Sequence, residues 1–259
     1  MPSARLAMES TERFSDRAAV YTRGRPTYPD AIVAHLRAAG ALPADGVVVD
    51  IGVGTGLSAE PFLRAGHTVI GVEPNAAMRA VGDERLAHYG RYLSVNGRAE
   101  ETTLDAHGAH LVIAGQAFHW FDPARAGGEA RRILVTGGWA ALVWNDRPAV
   151  GTPFLEGYEA LLKHYGIDYE QVSHRHVDED AISRYFAPTR PHVAFFDNPR
   201  ALTHEELAAL VGSASYMPAP GHPRHAEMSA ALGRLFDTHA VGGRVEMHYR
   251  TRMHYGSLA

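Results

Sequence analysis

Residues 47–56 read Val47-Val48-Val49-Asp50-Ile51-Gly52-Val53-Gly54-Thr55-Gly56, and no other stretch restricts the possible folds so tightly. A β-branched run ending in an acid fits a buried parallel strand. Three glycines at alternate positions then turn the chain before Leu57 opens a helical pattern. This is the first strand, turn and helix of a nucleotide-binding α/β sheet. The spacing brings bare backbone up to a nucleoside. The dinucleotide fingerprint needs its third glycine one residue later, so the pattern favours S-adenosylmethionine over NAD.

The same rhythm continues. Strands are expected near His67–Val72, Arg91–Val95, Leu111–Ala114 and Trp139–Trp144, with helices between them. Asp30, Asn75 and Asp122-Pro123 stand where helices begin, and Gly137-Gly138 where one ends. Beyond residue 146 the alternation breaks. A helical insertion is expected over 151–188, a strand from His192 to Phe196, and a capping box at Thr203-x-x-Glu206. A helix carries Met228, Leu232, Leu235 and Phe236. A final strand places Val245, Met247, Tyr249, Thr251 and Met253 on one face.

Composition narrows the function. The 259 residues suffice for one α/β domain with a full core. A net charge of −4 argues against charge-driven binding to nucleic acid or a membrane. With no cysteine there can be no disulfide, zinc-thiolate site or thiol nucleophile. Residues 1–10 lack the apolar core of a signal peptide, and no apolar run is long enough to span a bilayer, so a cytoplasmic protein is expected. The sixteen histidines offer His174-x-His176 and His222-x-x-His225 as their best clusters. Neither has helical ligand spacing, so no metal is expected. Ser58 lacks the nucleophile-elbow pattern.

Several blocks together resemble the class I S-adenosylmethionine-dependent methyltransferases, in particular the bacterial small-molecule branch similar to trans-aconitate-type enzymes. They are Phe14-Ser15-Asp16-Arg17-Ala18, Tyr21-x-x-x-Arg25-Pro26-x-Tyr28-Pro29, Asp50 to Gly56, Gly71-Val72-Glu73-Pro74-Asn75, Ala99-Glu100, His119-Trp120-Phe121-Asp122-Pro123 and Trp144-Asn145-Asp146-Arg147. Ser213-x-Ser215-Tyr216-x-Pro218 is a looser match. The resemblance implies a Rossmann-like fold: a seven-stranded, mostly parallel sheet with an antiparallel C-terminal strand, helices on both faces and a helical lid. A single domain over 1–259 is expected, with a core of about 41–147 and 190–259, and with 1–40 and 148–189 as lid. Two departures stand out. Thr102-Thr103-Leu104 replaces the family's usual Leu-Pro, and Gly127-Gly128 interrupts a helix that is usually alanine-rich.

Roles follow for individual residues. Gly52, Gly54 and Gly56, with Thr55 between them, would lie against the methionyl and ribose parts of the cofactor. Asp50 would meet its ammonium, directly or through water. Glu73, followed by Pro74, would accept the ribose hydroxyls. Ala99 and Glu100 would border adenine, and Met78 would pack an adenine face or be ordinary core. Arg25 would clamp the cofactor carboxylate, with Tyr21 adding a hydroxyl. Gln116, Ala117 and Phe118 are implied by the resemblance to pass close to the sulfonium. His119 is the candidate general base, or else a brace for its loop. Asn145, Asp146 and Arg147 fit a structural corner or a substrate contact.

The expected reaction is in-line methyl transfer to a small molecule, at oxygen or a carboxylate. Tyr158, Tyr165, Tyr185, Tyr216 and Met217 would form an aromatic lid with few charges, which suits an uncharged or aromatic acceptor. The alternatives are a non-methylating use of the same site (elimination, cyclisation or decarboxylation) and a non-catalytic cofactor-binding subunit. Monomer and homodimer are both compatible with the sequence.

Overall fold

The computed structural model describes residues 24–167, 169 and 178–258. Tyr21, His174 and His176 lie outside the described residues. Five strands come first, with a helix in every gap except that between β3 and β4: β1 Val47–Ile51, β2 Thr68–Val72, β3 Tyr92–Val95, β4 Ala109–Gly115 and β5 Leu134–Asp146. Between and before them run α1 Ala31–Ala38, α2 Glu60–Arg64, α3 Ala76–Leu86 and α4 Pro123–Ile133. There follow α5 Pro153–Tyr165, α6 Glu179–Phe186, β6 His192–Leu202, α7 His204–Gly212, α8 His225–His239 and β7 Val245–Ser257.

The strands form one seven-stranded sheet in the order β3-β2-β1-β4-β5-β7-β6. Strands β1 to β5 pair in parallel, and β7 runs antiparallel to both β5 and β6. Neighbouring β1 residues feed opposite cores, as a strand buried on both faces requires. Val48 packs with Ile32, Leu36 and Phe62 of α1 and α2. Val49 packs with Ala130 and Ile133 of α4 and Ile182 and Phe186 of α6.

A third apolar cluster is a cap. It joins Phe154, Tyr158 and Leu162 of α5, Leu207 and Val211 of α7, and Met228, Leu232 and Phe236 of α8. The cap rests on Leu202, Val245, Met247 and Tyr249. These residues sit where β6 and β7 still pair with each other after β7 has left β5, whose last partner is Arg250 opposite Asp146. The overhang of two long strands therefore carries the cap over the tips of the parallel strands. Of the segments expected as lid, α1 and α6 instead cover the sheet, and α5 joins α7 and α8 in the cap.

Local signals decide most boundaries. Asn75 caps α3, accepting from the N–H groups of Ala77 (2.9 Å) and Met78 (3.1 Å). Asp122 does the same for α4 with Pro123 in the first turn, and the Thr203–Glu206 capping box is complete. Asp30 does not cap α1; its carboxylate is taken by Arg64 at 2.6 Å. The helix after the glycine turn begins at Glu60 rather than residue 57, because turns occupy the intervening residues. Gly137-Gly138 does not end α4, which stops at Ile133; the pair falls inside β5, where the register with β4 shifts. Strand β6 runs on through Pro199, which an edge strand tolerates.

Candidate functional site

A cavity of about 550 Å³ opens at the carboxyl tips of the parallel strands, beneath the cap. The order β2-β1-β4 makes the β1/β4 junction the topological switch point, where open α/β sheets bind ligands. The sheet's most local signal, the glycine turn after β1, forms its floor.

Gly52 is required by close approach: its φ is +71°, and a Cβ there would fall 2.6 Å from that of Ala117 on the loop after β4. Gly54 faces the cavity at φ +55°, where a Cβ would meet only the Met78 methyl at 3.3 Å and the Gly52 carbonyl at 4.0 Å. Its bare backbone is a cradle. The Gly54 N–H donates to Glu73 Oε2 (3.0 Å), and the Asn75 N–H donates to Glu73 Oε1 (2.9 Å). Glu73 is thus fixed at the tip of β2, lining the cavity and leaving the N-cap role to Asn75. Burial raises its pKa, while those two N–H groups and Arg79 work against the rise.

Opposite the cradle runs the segment from Arg25 to Tyr28. Its carbonyls take their hydrogen bonds from side chains of two strands, β5 and β6. Asn145 Nδ2 donates to the Pro26 and Thr27 carbonyls (3.4 and 3.3 Å), Asn198 Nδ2 to Thr27 (2.7 Å) and Arg200 to Arg25 (2.8 Å). Asn145 is itself held by Thr251 Oγ1 (2.6 Å) and Asn198 (3.1 Å). The Asn145 corner braces the segment that presents Arg25 and Tyr28 to the cavity, and Asn145, Asp146 and Arg147 themselves line it.

The cavity brings together Arg25, Gly52, Gly54, Thr55, Glu73, Pro74, Met78, Ala99, Glu100, Gln116, Ala117 and His119 from the expected set. Three others are not on its wall. Gly56 packs against α3, where a Cβ would meet Leu86 at 2.4 Å. Phe118 is buried edge-on to Phe121, Trp144 and Tyr185. Asp50 is wholly buried, reaching the cavity only through Ser58, whose hydroxyl donates to Asp50 Oδ2 at 2.6 Å. Glu100 is committed in part to the chain, with Oε1 accepting from the Asp122 N–H at 2.8 Å. His119 is exposed at the rim, with its ring 4.7 Å from that of Trp120.

The far end of the cavity joins Tyr158 and Tyr216 of the expected aromatic lid, and Arg147 of the expected corner, to Tyr169, Tyr249 and Arg252, which the sequence left in the background. Tyr158, Tyr169, Tyr216 and Tyr249 line it together with Arg147 and Arg252. The expectation of few charges is therefore not met. Each of these two guanidinium groups does face a carboxylate: Arg147 pairs with Glu159 (2.6 Å) and Arg252 with Asp146 (3.0 Å). Tyr169 adds its hydroxyl to Glu159 at 2.9 Å, and Arg147 lies 4.9 Å from the centre of the Tyr158 ring. The alternating pattern of β7 was a signal for Tyr249, read as core packing. Nothing local marks Arg252.

The pocket fits an adenosyl sulfonium compound. An apolar slot of Met78, Ala99 and Phe121 lies beside a carboxylate that can take a diol, and a side-chain-free turn lies beneath both. Thr55 Oγ1 and Gln116 Oε1 are buried with no hydrogen-bond partner in the ligand-free chain, as expected of groups awaiting a ligand. Among the described residues no cluster could hold a metal ion, and no helix is long and apolar enough to cross a membrane.

Comparison with known proteins agrees with this geometry. The family described as methyltransferase domain matches residues 49–142. An uncharacterized methyltransferase of Mycobacterium tuberculosis is 37% identical over 203 residues, covering 78% of this chain and 76% of its own. A structure described as a type II methyltransferase from Anaeromyxobacter dehalogenans superposes with a TM-score of 0.64 at 20% identity, covering 90% of this chain and 98% of that one. Another from Anabaena variabilis, described as a methyltransferase from an antibiotic biosynthesis pathway, gives 0.57 at 18% identity, over 90% and 99% of the two chains.

Proposed function

The chain belongs to the methyltransferase family and is an S-adenosylmethionine-dependent enzyme; from that premise we propose that it methylates a small organic molecule at oxygen, either a hydroxyl or a carboxylate. The observation that carries the reading is a single cavity of about 550 Å³ joining the Gly54–Glu73 cradle to a tyrosine-lined chamber under the cap. That volume suits a small ligand.

When bound, the cofactor supplies an electrophilic methyl on a positively charged sulfur with a good leaving group. What remains for the protein is alignment and exclusion of water. Glu73 would hold the ribose, Met78 and Ala99 the base, Arg25 the carboxylate, and Gln116 and Ala117 would border the reacting end. The tyrosines would hold the flat body of the acceptor, and the paired guanidinium groups of Arg147 and Arg252 would donate to its polar substituents without adding much net charge. Positioning of this kind supplies on the order of 7–11 kcal/mol in the best-oriented cases. For a hydroxyl acceptor, His119 at the rim would take the proton; a carboxylate acceptor needs no base.

The test is incubation of the purified protein with methyl-labelled cofactor and a panel of hydroxylated and carboxylated metabolites. The expected result is label in one class of product with an equal amount of S-adenosylhomocysteine. Turnover of an acceptor without S-adenosylhomocysteine would assign the site to elimination or cyclisation instead.

A further inference from the structure

The tyrosines at the cap end of the cavity differ in what their hydroxyls do. Tyr169 spends its proton on Glu159 Oε2 at 2.9 Å. Tyr158 on α5 and Tyr249 on β7 are only 3% and 7% exposed, and both line the cavity. Neither of their hydroxyls forms a hydrogen bond with another group among the described residues. A phenol buried this deeply ordinarily has a partner, so the pair is set to meet one in the cavity.

The surroundings decide the polarity of that partner. Burial raises the pKa of both tyrosines, Tyr249 up to about 12, while the positive charges of Arg25 and Arg147 oppose the rise. Both hydroxyls therefore keep their protons at neutral pH and can donate them. The carboxylates at this end are already engaged: Glu159 holds Arg147 (2.6 Å) and the Tyr169 hydroxyl, and Asp146 holds Arg252 (3.0 Å). Two uncommitted hydroxyl protons in the field of two guanidinium groups call for an acceptor that carries negative charge. An alcohol or a carboxamide brings a donor of its own and no charge, whereas a carboxylate brings lone pairs alone.

We propose that Tyr158 and Tyr249 are specificity-determining residues: their hydroxyls, backed by Arg147, bind a carboxylate of the methyl acceptor. The proposal rests on the methyltransferase reading above and narrows it, since the acceptor is then an organic acid. One hydroxyl comes from α5 and the other from the overhang of β7, so recognition needs the cap seated on the sheet.

The experiment titrates three probes of similar shape, benzoate, benzamide and benzyl alcohol, into the intact chain saturated with S-adenosylhomocysteine, followed by ligand-observed NMR. Benzoate is expected to bind on the order of tenfold more tightly than either neutral probe. Tyr158→Phe and Tyr249→Phe keep the rings that pack the cap. Each should weaken benzoate on the order of tenfold and leave the affinity for S-adenosylhomocysteine as it is in the unaltered protein. Thermal melting establishes that each variant is folded. No binding of benzoate, equal binding of benzoate and benzamide, or undiminished benzoate binding by both variants would overturn the assignment. A matching loss of S-adenosylhomocysteine would also overturn it, since the hydroxyls would then serve the methyl donor. If the unaltered protein failed to bind S-adenosylhomocysteine, the cofactor reading itself would fail, while the benzoate preference and its loss in the variants would still be read on the unloaded chain.

Discussion

Glu73 carries a structural and a ligand-facing task at once. Its two oxygens hold the N–H groups of Gly54 and Asn75, and the remaining lone pairs face the cavity. Glu73→Gln keeps the size but offers one acceptor fewer, so S-adenosylhomocysteine should bind tenfold or more weakly by calorimetry, with only modest change in melting temperature. Asp50 behaves differently. Burial lifts its pKa from the ordinary 3.8 to about 8, with Glu73 adding to the rise and the Ser58 hydroxyl opposing it. The groups facing it are Ser58, Glu73 and Tyr92, whose own pKa is raised in part by Asp50. The folded chain keeps this proton where the unfolded chain loses it. Its contribution to stability is therefore complete below about pH 4 and is lost as pH rises through about 8. Asp50→Asn should flatten the fall in melting temperature over that window. Gly54 and Glu73 were legible as cavity residues because strand, turn and acid follow one another locally, whereas the burial of Asp50 away from the wall was not. Nor was the meeting of Ser58 and Tyr28 at Gly115, where a Cβ would fall 2.6 Å from Ser58 Cβ and 2.8 Å from the Tyr28 hydroxyl, because the three lie far apart along the chain.

At the level of elements, neighbours in sequence need not be neighbours in function. Gly56 and Phe118 belong to the motifs that build the cavity, yet both turn away, one into α3 and the other into the core. The two glycines of α4 likewise differ. A Cβ on Gly127 would fall 2.7 Å from the Tyr185 carbonyl, so this residue lets α6 seat on α4; at Gly128 nothing lies within 4 Å. Gly127→Ala should therefore destabilise by about 1–3 kcal/mol, whereas Gly128→Ala should stabilise by up to about 1 kcal/mol. Urea unfolding of the two variants tests the contrast. Helix starts such as Asn75, Asp122 and Thr203 could be read directly, since a cap is satisfied within a few residues. The full lengths of β5 and β6 could not: each is extended by pairing with a partner far away in the chain, across glycines and a proline that locally argue for a break.

In the whole molecule, two bodies share one cavity: a sheet whose tips build the cradle, and a cap whose tyrosines close the far end. The Arg147–Glu159 pair, with side chains 12% and 8% exposed, ties the end of β5 to α5. Removing one partner of a buried pair strands the other charge, at a cost of about 3–5 kcal/mol. Glu159→Gln should therefore speed hydrogen exchange in α5, raise the acceptor KM and leave S-adenosylhomocysteine affinity unchanged. Unchanged exchange in α5 would remove this pair from any role in holding the cap. The parallel half of the sheet was readable from its alternation of strands and helices. A helical, aromatic lid was expected, but its assembly was not readable, because α5, α7 and α8 are separated by other elements and meet only on the overhang of β6 and β7.

That overhang divides the chain's duties between different stretches of sequence. The turns that form the cradle lie within residues 50–100, while the aromatic and guanidinium groups of the opposite end come from 147–252. Variation among the lining residues of the second stretch would reshape which molecule is accepted while leaving the Gly54–Glu73 cradle in place. One scaffold of this design can thus diversify its chemistry by altering an arm, provided Asn198 and Arg200, which hold the Arg25 segment, stay in place.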